Sequence, residues 1–253
     1  MTGWTLVLAF TVAAVAAVRG LWSPCGLSMV SALNPMSERA RGHRYPLTAL
    51  WYVAGAVAGG AVLGAGCALG ASAVGRLPLT ADGTALLVLG CAVIAFVSDV
   101  PALSWHLPGH PRQVNEQWIG RYRRWIYAAG FGAQIGAGFA TYIMTAAVYL
   151  AAALAALSGR AGAAFAVGLG FGLVRGLGVL ACARVRTPDA LRALHQRLDR
   201  WAAPSLGGCL VAEAGVVTVA AWLLAGPVAS AGIAAALLVA GGWPLLARRV
   251  QHG

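Results

Sequence analysis

The chain contains no lysine, so all 18 of its basic residues are arginine. Acid is scarce as well, with seven Asp and Glu residues and a formal net charge of +11. Charged residues make up 10% of the sequence and hydrophobic residues 60%, and the mean hydropathy is +0.76. One soluble core cannot hide that much apolar surface, so the composition reads as a polytopic membrane protein. The basic excess does not indicate nucleic acid. The arginines flank apolar segments, where they orient a membrane protein and meet anionic lipid. Arginine-only basicity with abundant Ala and Gly fits the codon bias of a GC-rich bacterial genome. CxxC pairs are absent too. The five cysteines (Cys25, Cys67, Cys91, Cys182 and Cys209) lie in or beside apolar segments, which excludes a zinc ribbon and a secreted disulfide framework. No nucleophile elbow, phosphate loop or catalytic carboxylate pair stands out, and no cofactor is expected. His106 and His110 lie four apart in "HLPGH", but Pro108 and Gly109 between them work against a shared helical face. No metal site is expected there.

What is present is apolar sequence. A membrane-crossing helix needs about 20 apolar residues. Seven stretches qualify, roughly Trp4–Leu33, Leu47–Leu77, Gly83–Leu103, Tyr127–Leu157, Gly162–Ala183, Ser205–Ala225 and Ala229–Ala247. The first has no basic region before it and continues past Arg19, so it reads as a retained helix and not a signal peptide. Arginines cluster in alternate connections, at residues 39–44, 112–124 and 184–200 and in the tail. The positive-inside rule then puts the N-terminus outside and the C-terminus in the cytoplasm of a bacterial inner membrane. "TPDALRALHQRLDRW" predicts a short interfacial helix, capped by Thr187 with Pro188 in its first turn. "NEQWIGRYRRWIY" mixes aromatics and arginines, as the headgroup layer does. Glycines four apart (Gly55/Gly59, Gly60/Gly64, Gly132/Gly136, Gly168/Gly172/Gly176) predict close helix packing.

Ionisable residues inside spans are costly and mark function by default. Here they are Arg19, Asp99, Arg175 and Glu213. By position, Cys25, Gln134, Arg175 and Glu213 fall at similar depth near the arginine-rich side. Adjacent antiparallel spans would let Arg175 and Glu213 pair, either as a structural clamp or as part of a polar cavity between broken helices. Arg19 is then either unpaired or a second partner for Glu213.

The stretch "LWSPCGLSMVSALNP" carries a resemblance. Pro24, Cys25, Leu27 and Met29 resemble the first-helix motif of the DsbD/CcdA family, the thiol–disulfide transporters of cytochrome c biogenesis within the wider LysE-like transporter group. Ser28 stands where that family often has proline. The resemblance implies one transmembrane domain (1–253) made of two inverted three-helix repeats, about 1–104 and about 127–225, with an extra helix at about 229–247. It implies a reactive cysteine in the first and fourth helices. Cys25 is the first, and Gln134 falls where the second should be. Cys182 and Cys209 are then the resolving thiols to consider.

Three functions follow as expectations. One is a carrier that passes reducing equivalents from a thioredoxin-like protein in the cytoplasm to the outside through Cys25, with Pro24 bending its helix. Another is a small-solute or ion exporter on the same fold, with Gln134, Arg175, Glu213, Asp99 and Arg19 lining the path. The third is a non-transporting membrane scaffold subunit. All three have the lipid membrane as partner.

Overall fold

The computed structural model describes residues 3–103, 105, 107–108, 113–114 and 117–250, with side chains described to residue 237 except at 229 and 235. His106 and His110 lie outside the described residues. Every regular element among the described residues is helical. In chain order they are α1 (Gly3–Arg19), a 3-10 turn (Gly20–Trp22), α2 (Pro24–Ala32), α3 (Pro35–Ala40), α4 (Tyr45–Val74) and α5 (Ala81–Asp99). There follow α6 (Trp118–Arg121), α7 (Arg124–Gly136), α8 (Ala147–Leu157), α9 (Ala161–Leu177) with a 3-10 turn (Gly178–Cys182), and α10 (Pro188–Val250).

Among the described residues, five segments are long and apolar enough to cross a membrane: Gly3–Trp22, Tyr45–Val74, Ala81–Asp99, Ala161–Cys182 and Pro188–Val228. The sequence had suggested seven. The expected fourth span is two helices, α7 and the short apolar α8, separated by an irregular stretch in which Gly138 has φ +72°. The expected seventh falls in α10 beyond Gly226, where φ is 80° and ψ is −177°. Only glycine adopts that conformation readily, and Pro227 supplies no N–H to bridge the gap. The expected interfacial helix is not separate either. It runs without interruption into the following span, and its Leu191, Leu194 and Leu198 pack on a core cluster with Val30, Val179 and Val185. Pro204 removes one helical N–H but does not end the helix.

The first span breaks where "SPCG" requires it. Ser23, before a proline, is extended at φ −68° and ψ 155°. Its Oγ accepts the Gly26 N–H at 3.1 Å and donates to the Gly20 carbonyl at 2.7 Å. Pro24 opens α2, where its missing N–H costs nothing.

At the centre, α4 lies against α7 on one side and α9 on the other. Gly55 and Gly59 meet the α7 backbone at Ala129 and Ala133, while Gly132 and Gly136 meet the α4 backbone at Tyr52 and Ala56. Gly60 and Gly64 approach Gly168 and Gly172 of α9 in the same manner. A side chain at these positions would have to occupy the partner's backbone, so the small residues set the interhelical distance. Large apolar side chains such as Val7, Leu50, Val62, Leu69, Leu86 and Val211 point outward, 58–74% exposed, as lipid-facing groups do.

Candidate intramembrane polar site

The polar groups that sequence placed inside the spans are buried, and they fall into two clusters at helix breaks. The first joins α1, α5, α8 and α10. Arg19, the last residue of α1, is buried. Its Nη1 donates to the Ala202 carbonyl at 2.8 Å and to Ser205 Oγ at 2.6 Å, and its guanidinium lies 6.0 Å over the Trp22 ring. Asp99, the last residue of α5, accepts the Ala146 N–H at 2.7 Å on Oδ1 and the Thr145 hydroxyl on Oδ2. These are the groups at the start of α8, whose N-cap residue Ala146 has no capping side chain, while Thr145 Oγ1 accepts the Ala147 N–H at 3.2 Å. Asp99 therefore caps α8 from another helix. Arg19 lies within electrostatic reach of Asp99 and of Cys209. Glu213 of α10 is fully buried, and neither carboxyl oxygen has a hydrogen-bond partner. The neighbour it faces is the Asp99 carboxyl.

The second cluster surrounds Tyr52 of α4. Arg175 of α9 is buried and lies within electrostatic reach of Tyr52 and Cys25. Its guanidinium sits 5.8 Å over the Phe171 ring. It presses on Gly20 in the break of the first span, where any side chain would collide with it. Among the described residues, no ion pair includes Arg175, and its Nε is buried without a partner. The Tyr52 hydroxyl is likewise buried and unpartnered. Cys25 lies in the first turn of α2, 1% exposed.

The expected Arg175–Glu213 pair thus does not form. Arg175 turns to Tyr52 and Cys25, and Glu213 turns to Asp99. Arg19, named as a second partner for Glu213, is in the Asp99–Glu213 cluster. Gln134 is half-buried, and its Nε2 donates to the Gly130 carbonyl of its own helix at 3.3 Å. Pro24 is half-buried at the break. None of the five cysteines is in a disulfide. Cys182 Sγ donates to the Val179 carbonyl at 3.1 Å and the Leu33 carbonyl at 3.6 Å. Leu33 is eight residues beyond Cys25, about 12 Å along α2. A Cys25–Cys182 disulfide needs Cα atoms within about 7 Å, and the Cys182 thiol sits at the end of α2 away from Cys25. Cys209 belongs to the Asp99–Glu213 cluster.

Sequence reading missed a third network, on the arginine-rich side. Glu38 of α3 is fully buried. It accepts hydrogen bonds from Thr48 Oγ1, from the Tyr127 hydroxyl at 2.9 and 3.0 Å, and from Arg41 Nη1 at 2.8 Å, and His43 Nδ1 lies 3.6 Å away. One carboxylate thus folds the connection between the first two long spans onto α4 and α7. Its only sequence signal was an acid inside a basic loop, after Asn34, which caps α3 by accepting the Ser37 N–H at 2.9 Å.

Apolar helices that expose their hydrophobic faces and bury charges at internal breaks define a multi-pass membrane protein. The chain is similar to the methylamine utilization protein MauF of Paracoccus versutus, at 29% identity over 228 residues, covering 83% of this chain and 78% of that protein. It is similar to MauF of Paracoccus denitrificans at 29% identity over 207 residues, covering 78% and 69%. A shorter match, 33% over 150 residues, joins it to MauF of Methylorubrum extorquens, covering 56% of this chain and 50% of that protein. No family model matches the chain, and no solved structure matches it.

Proposed function

We propose that this protein is a small-solute transporter of the broken-helix type, serving methylamine utilization as the name of its relatives states for them. The observation that carries the reading is the coincidence of charge and helix break. Arg19 ends α1, Asp99 ends α5 and caps α8, and Arg175 presses on Gly20 in the first break. Transporters of this architecture place their sites where discontinuous helices free backbone groups near the membrane midplane. On this reading α1–α2 corresponds to α7–α8, α4 to α9 and α5 to the first half of α10, as two inverted repeats. Facing pairs α1·α8, α4·α9 and α5·α10 support that correspondence. The arginine-rich connections face the cytoplasm. Arg19, Asp99 and Glu213 together carry one negative charge when all are ionised, which suits a small cation, and Gln134 and Arg175 lie along the remaining path.

Methylammonium is therefore the first solute to test. Protein reconstituted in liposomes should conduct labelled methylammonium, and Glu213→Gln and Asp99→Asn should abolish the flux. Flux equal to that of empty liposomes, or undiminished in both variants, refutes the reading.

One observation favours the thiol reading as a second: Cys25 sits at the N-terminus of α2 beside an arginine that has no carboxylate partner. Cys25 would attack a protein disulfide, forming a mixed disulfide and releasing the partner's other thiol. A dithiol protein of the thioredoxin type would then reduce the mixed disulfide, becoming oxidised itself and restoring Cys25. Trapping of a Cys25 mixed disulfide in membranes supports this. Wild-type behaviour of Cys25→Ser in every thiol assay removes it.

A further inference from the structure

Among the described residues, Glu213 is the intramembrane carboxyl that no N–H or O–H donor reaches. It is fully buried, both oxygens lack partners, and it faces a second carboxyl, Asp99. Asp99 from α5 and Cys209 from α10 itself lie within electrostatic reach of Glu213, and Arg19 from α1 and Thr145 from α8 lie within reach of both Asp99 and Cys209. Thr145 and the Ala146 N–H are spent on Asp99, and Arg19 Nη1 on Ala202 and Ser205. Arg19 Nε is buried without a partner, so it does not donate to Glu213 either.

The charge count decides what is missing. Arg19 contributes one positive charge against two carboxylates, so the cluster lacks one positive charge, and a low-dielectric site does not sustain that deficit. A hard metal ion would need about six oxygen ligands. Asp99 has given its oxygens to the start of α8, so only the Glu213 oxygens are free. The ligand of charge +1 that one or two oxygens satisfy is a proton, and two carboxyls in one site take up one between them.

We propose that Asp99 and Glu213 form a proton-binding site, in which one exchangeable proton bridges Glu213 to the Asp99 carboxylate. The site rests on the burial of Glu213, its unpartnered oxygens and the nearness of Asp99. Its role as the ion exchanged against a cationic solute rests on the transporter reading above. A cation arriving at Glu213 displaces the proton, and the cluster stays neutral in both states.

The test is infrared spectroscopy of the full chain in lipid nanodiscs, titrated with acid and base. The parent should show a protonated-carboxyl C=O stretching band at neutral pH. Glu213→Gln should remove the band, and Asp82→Asn, at an exposed position, should keep it. Should Glu213→Gln fail to fold, Glu213→Asp should shift the band without removing it. Sodium at constant pH should leave the parent's band in place. A missing band in the parent, a band unchanged in both Glu213 variants, or its loss on adding sodium overturns the proton site. A band that behaves as expected in protein that conducts no methylammonium refutes the transporter reading and leaves the site standing.

Discussion

Replacing Asp99 by alanine should be among the most damaging single changes in the protein. Its carboxylate accepts the Ala146 N–H at 2.7 Å and the Thr145 hydroxyl, and it lies within electrostatic reach of Arg19. Hydrogen bonds to a charged group contribute about 1.5–3 kcal/mol each. Taking the low end for both gives a loss of about 3 kcal/mol, which lies within the range of about 3–5 kcal/mol for breaking a buried charge interaction. Water is a poor substitute at this depth, so little of the loss is recovered. For a domain of this size, about 1 kcal/mol moves the melting temperature by roughly 2–4 °C. Asp99→Ala should therefore lower Tm by about 6–12 °C, read by tryptophan fluorescence in nanodiscs. Asp99→Asn keeps an acceptor for the Ala146 N–H and should lose about half as much. An alanine variant melting within about 2 °C of the parent would show that Asp99 neither caps α8 nor holds Arg19.

Tyr127→Phe and Thr48→Val should each destabilise the protein by about 1–3 kcal/mol, because each removes a donor from the buried Glu38 carboxylate. The double variant should cost less than the sum, and additive melting shifts would show that the two hydroxyls do not share one acceptor. Gly132→Val would drive a side chain into the Tyr52 carbonyl on α4, so it should abolish monodisperse protein in size-exclusion chromatography; a normal elution profile refutes backbone contact at that seam. Gly226→Ala places a Cβ at φ +80° and should cost about 1–3 kcal/mol, seen as faster proteolysis near residue 226, unless α10 runs straight through that position.

The apolar helices, the glycine seams and the break at "SPCG" were legible in the sequence, because each follows from local chemistry: hydropathy, small-residue spacing and the residue before a proline. Partner choice among the charges was not. Arg175 and Glu213 were matched by depth alone, and depth says nothing about which face of a helix a residue occupies. The same reason hid Glu38, whose neighbours Thr48 and Tyr127 lie 10 and 89 residues away in the chain. The division of the fourth span into α7 and α8 was masked because "GFATYIMTAA" is apolar enough to continue a helix. What ends the helix there is Gly138 in the left-handed region, and what restarts it is a carboxylate from α5.

Breaks and charges in this protein need each other. A broken helix inside a membrane leaves carbonyls and N–H groups that lipid cannot satisfy, and an isolated charge there is equally costly. Here the start of α8 gives its N–H to Asp99, so a freed backbone group and a buried charge satisfy each other, while Arg19 donates to the Ala202 carbonyl of α10. Gly20, in the break of the first span, makes room for the Arg175 guanidinium. Glu213 is the exception, since no freed backbone group reaches it. A carboxyl that caps no helix and accepts from no backbone group, yet is kept in the charged cluster, is the group most easily released to bind and let go of a ligand.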